Sequence, residues 1–143
     1  MKMFAGLNIS ASGLTAEKKR LELIANNIAN INTPQSAGSS LYQPQRLMTT
    51  PAEGEFGFYL AGFREVPDGG VRITGVAQEN RPPRLVYDPG HPDADANGYV
   101  AYPDINLLDE MVSAMNASRA YESNLTAFNE TKKLFNKALE IGK

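Results

Sequence analysis

The residues best placed to do chemistry lie between Asp88 and Asp104, in the run DPGHPDADANGYVAYPD. Asp93, Asp95, Asn97 and Gly98 match the opening of a calcium-binding loop, and its twelfth position falls on Asp104. Carboxylates at alternate positions converge on a hard cation, and Gly permits the sharp turn between them. The surroundings oppose this reading. Pro89, Gly90 and Pro92 leave no room for an entering helix, and Pro103 stands where an exiting helix should already have begun. Asp104 is one methylene shorter than the bidentate Glu such loops use. Asp and Asn beside Gly are equally what tight turns require. His91 is the only His and there is no Cys, so a zinc set cannot be assembled. Asp109 and Glu110 are adjacent, point to different sides of a helix, and cannot form a catalytic carboxylate pair. With no nucleophile–base pair and no phosphate-cradling Gly loop, the chain does not read as an enzyme. No catalytic residue, metal ligand or cofactor is expected.

If chemistry is absent, packing must carry the function. The last forty residues, Asp104 to Lys143, place Leu107, Ala114, Tyr121, Phe128 and Phe135 seven apart. Met111, Ser118, Leu125, Lys132 and Leu139 follow four residues after each. This is an apolar seam with two polar breaks, and it predicts a long amphipathic helix. Asp104 or Asn106 starts it; Asn106 is a capping side chain, with Asp109 and Glu110 in the first turn to favour the dipole. At this length it would span roughly 55 Å, which points to a coiled coil. Gly142 is the C-cap candidate.

A second seam occupies residues 3–31, where Leu7, Leu14, Leu21 and Ile28 fall seven apart and Ile24 and Ile31 follow the last two. Residues 15–31 are good helix formers, whereas Gly6, Ser10, Ser12 and Gly13 are poor ones. That half should fray alone and become helical only when packed. The seam ends in Asn26, Asn27, Asn30 and Asn32, then Pro34, so the helix stops near Ile31–Thr33. Either these amides form a solvated helix end, or some sit in a packed interface and fix its register.

The middle is different. Residues 34–54 are polar and Pro/Ser/Gly-rich, and read as a loop or arm that Tyr42 and Leu47 could anchor. Residues 55–103 read as a small β-rich insert followed by the acidic turn-rich loop. Phe56–Ala61, Val71–Thr74 and Leu85–Tyr87 are the strand candidates, with a turn at Pro67–Gly70. The expected fold is therefore mainly α with a small β insert. Residues 1–33 and 104–143 would form one helical domain, an antiparallel coiled coil.

Composition agrees with a packing role. The chain has 143 residues, 14 basic and 16 acidic, so no basic face is offered to nucleic acid. No apolar run reaches the roughly 18 residues of a membrane span. The N-terminus lacks the continuous apolar core of a cleaved secretory signal, so none is expected.

Two motifs carry a family resemblance. Ala25-Asn26-Asn27-Ile28-Ala29-Asn30-Ile31-Asn32-Thr33 resembles the signature shared by flagellar axial proteins, the rod and hook subunits. Val86–Asp95, Gly98-Tyr99-Val100, Tyr102-Pro103, Glu110-Met111-Val112 and Ala117–Glu122 are similar to the proximal-rod branch of that family. There are departures: Tyr42 arrives late if it is the family's Tyr after the first motif, and Ser123 stands where Ala is more usual. Nothing in Thr50–Pro83 matches.

The resemblance implies a structural subunit of the bacterial flagellar basal-body proximal rod, joining the membrane ring to the distal rod and transmitting torque. Its implied partners are other copies of itself, neighbouring rod subunits, the ring-to-rod adaptor protein and the flagellar type III export apparatus. Its implied location is the periplasmic rod, reached without a cleaved signal. The expected assembly residues are Leu7, Leu14, Leu21, Ile24, Ile28, Asn26, Asn27 and Asn30 in the first seam. In the second they are Leu107, Met111, Met115, Tyr121, Leu125, Phe128, Phe135 and Leu139. Within these, Tyr121, Phe128 and Phe135 are assigned to the partner helix of the same chain, and Met111, Leu125 and Leu139, with Leu108, Val112 and Met115, to neighbouring subunits. The alternatives are another axial subunit, a cytoplasmic coiled-coil adaptor, or a calcium module at residues 93–104.

Overall fold

A computed structural model describes residues 2–36, 38–52 and 69–141. The candidate strand Phe56–Ala61, the start of the turn at Pro67-Asp68 and the Gly142 cap lie outside the described residues. Two long helices carry the chain ends, α1 at Lys2–Ala29 and α2 at Leu107–Ile141. Between them lie β1 (Gln45–Pro51), β2 (Val71–Gln78), β3 (Arg84–Tyr87) and β4 (Tyr99–Tyr102). The described architecture is mainly α with a small β insert.

The Asn-rich end of α1 stops as its chemistry requires. Asn30 N donates to Asn26 O at 3.2 Å, but Ile31 N reaches only Ile28 O and Thr33 N only Asn30 O. The ladder thus tightens to three-residue spacing, and the Asn30 amide adds a bond to Asn26 O at 2.8 Å. At the start of α2, Asn106 Oδ1 accepts from Leu108 N at 3.0 Å, the expected cap.

β1 pairs with β2, and β3 with β4. Glu79 N donates to Pro44 O at one end of the first pair and Ala52 N to Gly70 O at the other, so β1 and β2 run antiparallel. β1 corrects the reading of 34–54 as loop or arm: Gln45–Pro51 lacks an alternating apolar pattern, and its strand is held by pairing with β2. β3 and β4 are antiparallel, with Arg84 opposite Tyr102 and Tyr87 opposite Tyr99. β4 buries Val100, followed by buried Pro103 and Ile105, whereas all four residues of β3 are exposed. The Tyr87 and Tyr99 rings meet edge to face at 5.3 Å.

The calcium-like run is the turn of this second hairpin. Asp95 Oδ1 accepts from Asn97 N at 2.8 Å and Tyr99 N at 2.9 Å. Gly98 has φ +82°, and a Cβ there would lie 3.0 Å from the Tyr87 ring and 3.2 Å from Pro89, so both turn and packing demand Gly. His91 Nδ1 accepts from Asp93 N, another local turn bond. Among the described residues, no three His, Asp or Glu stand close enough together to hold a metal ion.

The chain divides into two compact units. One comprises Met1–Lys19, Met48–Gly75 and Asn116–Lys143. In it, Ser12 on α1 accepts from Val71 N at 3.1 Å while donating to Ile9 O, which fastens the start of β2 to the helix. In this unit the two helices also come very close. A Cβ on Gly13 would sit 2.8 Å from Asn124 Nδ2, and one on Gly6 would sit 3.6 Å from Thr131 Cγ2. A seven-residue step forward on α1 is therefore a seven-residue step back on α2, so the helices run antiparallel here. The other unit comprises Arg20–Leu47 and Val76–Met115. Leu23, Ile24, Asn27, Val100, Pro103, Ile105 and Glu110 are buried in it.

Burial within the chain grades the residues of α1. Its deepest positions are Ser10, Ala16, Leu23, Ile24 and Asn27, while Leu7, Leu14, Leu21 and Ile28 are half-buried. In the half before Lys19 the deepest positions, Ser10 and Ala16, are small; in the half after it they are Leu23, Ile24 and Asn27. Gly6 and Gly13, poor helix formers, occupy the side where α2 approaches. Their lack of bulk permits the close contact, which in turn supports a helix that propensity alone would not.

On α2, Glu110, Ala114, Ala117, Tyr121, Asn124, Phe128, Thr131 and Phe135 are all buried or half-buried. They alternate at spacings of four and three. The second inward row thus lies three residues after Leu107, Ala114, Tyr121 and Phe128, not four. Leu107 itself, Met111, Leu125 and Leu139 are exposed.

Candidate assembly site

The Asn-rich motif is organised around one side chain. Asn27 is fully buried, Asn26 is exposed, and Asn30 serves the helix end. A buried primary amide has two hydrogens to give and two lone pairs to fill. Asn27 uses all four. Its Nδ2 donates to Gln45 O at 3.0 Å and to Glu110 Oε2 at 3.3 Å. Its Oδ1 accepts from Tyr42 Oη and from Gln45 N, both at 2.9 Å. One residue of α1 thereby fixes the segment before β1 and the first turn of α2.

Glu110 extends the network. Only 2% of it is exposed, and its Oε1 lies 3.2 Å from Arg46 Nη2. Arg46 Nε also donates to Glu79 Oε1 at 3.0 Å, and Glu79 pairs in turn with Arg81. Arg81 N donates to Gln43 Oε1 at 3.1 Å. A carboxylate this deep is tolerated because a guanidinium and an amide both address it. Five segments of the chain thus converge on one polar joint: the end of α1, the arm, β1, the end of β2 and the start of α2.

Burial, and secondarily the charge of Glu110, push the Tyr42 phenol above its ordinary value of 10.0. The folded state then holds this proton more tightly than the unfolded one. The corresponding stability is complete below about pH 10 and is lost as pH climbs through the raised value. Tyr42→Phe is expected to be about 1 kcal/mol less stable at neutral pH, from the lost bond to Asn27, and to lose less further stability above pH 10. Urea titrations at neutral and alkaline pH test this; an equally steep alkaline loss in the Phe variant would contradict it.

The other expected assembly residues divide into two sets. Tyr121, Phe128 and Phe135 lie half-buried on the side of α2 that carries Asn124 and Thr131, the two residues close to α1. Leu107, Leu108, Met111, Val112 and Met115 form an exposed apolar face on the first turns of α2, and Leu125, Leu134 and Leu139 are exposed further along. Sequence reasoning missed Tyr42's partner, Gln45, Arg46, Glu79 and Arg81, and it noted Glu110 as a first-turn acid and part of a family motif, not as a buried partner. The available signal was a Glu lying among apolar positions, three residues after Leu107 and four before Ala114.

Residues 7–34 match the family model described as flagella basal body rod protein. Residues 96–141 match that of the flagellar basal body rod FlgEFG protein C-terminal. The chain is 38% identical to the flagellar basal-body rod protein FlgC of Borreliella burgdorferi, over 99% of this chain and 98% of that protein. Identity to FlgC of Bacillus subtilis is 36% over the whole of both chains, and to FlgC of Salmonella typhimurium 34% over 94% of each. The chain belongs to the FlgC family of flagellar basal-body rod proteins. It is a structural rod protein, not an enzyme. The two matched segments meet at the joint, the first supplying Asn27 and the second Glu110. No helix among the described residues is long and apolar enough to cross a membrane.

Proposed function

We propose that this chain is a proximal-rod subunit that polymerises through its terminal helices with copies of itself and with neighbouring rod subunits. In this reading α1 and α2 pack as an antiparallel coiled coil, and the assembled rod links the membrane ring to the distal rod and transmits torque. The ring-to-rod adaptor is its partner on one side. The chain reaches the periplasmic rod through the flagellar type III export apparatus, without a cleaved signal. The observation that carries the reading is the division of α2 into two faces. One, from Glu110 to Phe135, is withdrawn from solvent at alternating four- and three-residue steps. The other leaves Leu108, Met111, Val112 and Met115 exposed on the first turns of α2. A cluster of exposed apolar side chains at three- and four-residue spacing marks an interaction site.

Met111→Asp combined with Met115→Asp tests the outward face. These residues are about half exposed, at 51% and 55%, so the isolated variant should fold with unchanged helicity. Its recovery in purified basal bodies should fall at least about tenfold, because each carboxylate would need burial in the contact. Normal incorporation and swimming would overturn the proposal.

A further inference from the structure

We infer that Asn97-Gly98 is a site of spontaneous deamidation, and that the turn built on Asp95 holds it inert while the β3–β4 hairpin is folded. The inference rests on this hairpin alone and not on any reading of assembly. Asn97-Gly98 is the only Asn-Gly pair in the sequence. In the step, the Gly98 backbone nitrogen attacks Asn97 Cγ. A C–N bond forms, the amide proton passes to the side-chain nitrogen, that nitrogen leaves as ammonia, and the backbone closes into a cyclic imide. Water then opens the imide at either carbonyl. One product is Asp in place of Asn97. The other is isoaspartate, in which the chain runs through the former side chain and gains a carbon. Nothing is oxidised or reduced, and water is the only co-reactant. Gly98 has no Cβ to crowd the attack, and Asn97 is exposed, so solvent reaches the reacting atoms.

The folded turn opposes this step. Attack requires the Gly98 nitrogen to swing across the Asn97 side chain with its proton free to leave, and both polar groups of the Gly98 backbone are held. Gly98 N donates to Asp95 O at 3.0 Å, and Gly98 O accepts from Asp88 N at 2.9 Å. Asp95 Oδ1 fixes the residues on either side, accepting from Asn97 N and from Tyr99 N. Space is closed as well, since Gly98 lies so near the Tyr87 ring and Pro89 that even a Cβ would be crowded. The reaction therefore waits for the turn to open, and its rate follows the small population of opened hairpins. Once formed, isoaspartate cannot rebuild the same turn. Its extra backbone carbon separates the two N–H groups that share Asp95 Oδ1, beside buried Val100. Asp95, which resembles a cation ligand in the sequence, thus serves to keep its neighbour's amide intact.

The test incubates the full chain at mildly alkaline pH, native and unfolded in guanidinium chloride, and follows ammonia loss at Asn97 by peptide mass mapping. The native protein should react at Asn97 at least about tenfold more slowly than the unfolded chain, because several hydrogen bonds must break together. Asp95→Ala, checked for unchanged helicity, should raise the native rate at least about threefold. Asp95→Asn keeps an oxygen acceptor and should stay within about twofold of the parent. The comparison of native with unfolded parent needs no variant and stands even if Asp95→Ala does not fold. Equal rates in native and unfolded protein would overturn the protection. Equal rates for the Ala and Asn variants would overturn the role of Asp95. No ammonia loss at Asn97 from the unfolded chain would overturn the site itself.

Discussion

Replacing Asn27 by Ala lowers the free energy of unfolding by about 3–5 kcal/mol, the range for breaking a buried, charge-linked network by removing one partner. Four bonds disappear together, and the groups left behind differ in how much they suffer. Tyr42 and Gln45 are only part-buried and can take water. Glu110 cannot, and it keeps only the Arg46 guanidinium. An unsatisfied buried group costs about 1–3 kcal/mol, more if charged, and contributions within one network do not add. Asn26→Ala is the internal control: same residue type, next position, exposed side chain, expected change within about 0.5 kcal/mol. Urea unfolding followed by circular dichroism compares them. Equal stability of the two variants would remove the joint from the account of this fold.

Gly13→Leu is the second large effect, with an expected loss of about 2–3 kcal/mol from overpacking. Its Cβ alone would meet the Asn124 amide at 2.8 Å, and three more carbons must then find room between the helices. The amide is the far end of a movable side chain, which makes Gly13→Ala a finer probe. With Asn124 intact, Ala gains helix propensity but displaces that amide, and the two effects oppose each other. With Asn124→Ala, the displacement vanishes and Gly13→Ala should stabilise by about 0.5–1 kcal/mol. A double-mutant cycle showing no coupling between positions 13 and 124 would contradict the close approach, as would a Gly13→Leu protein as stable as the parent.

Those two positions also mark where the sequence was and was not legible. Both helices could be read from periodicity, and Asn106 announced the start of α2. On α1 a hydrophobic count picks out Leu7, Leu14 and Leu21 and gives no weight to Gly6 and Gly13, which lie against α2. Close approach goes to residues with little to displace, Gly6 and Gly13. The Asn cluster offered two readings, and different residues satisfy each: Asn27 turns inward, while Asn26 stays in solvent. β1 was hidden because Gln45, Arg46 and Thr49-Thr50 give no alternating apolar signal, and its partner β2 begins twenty residues beyond its end. The joint was least legible. Asn27 and Glu110 stand 83 residues apart in sequence, and no local spacing connects them.

That separation has a consequence in time. A chain made from its N-terminus completes α1 first and α2 last. The half of α1 containing Gly6 and Gly13 meets the start of β2 through Ser12, but its close helix contact waits until Asn124 and Thr131 exist. The buried amide of Asn27 likewise waits for Glu110. Helices of weak propensity form slowly when their contacts are this distant, since loop closure must precede the contacts that stabilise them. The first half of α1 therefore owes part of its support to residues near the far end of the described chain.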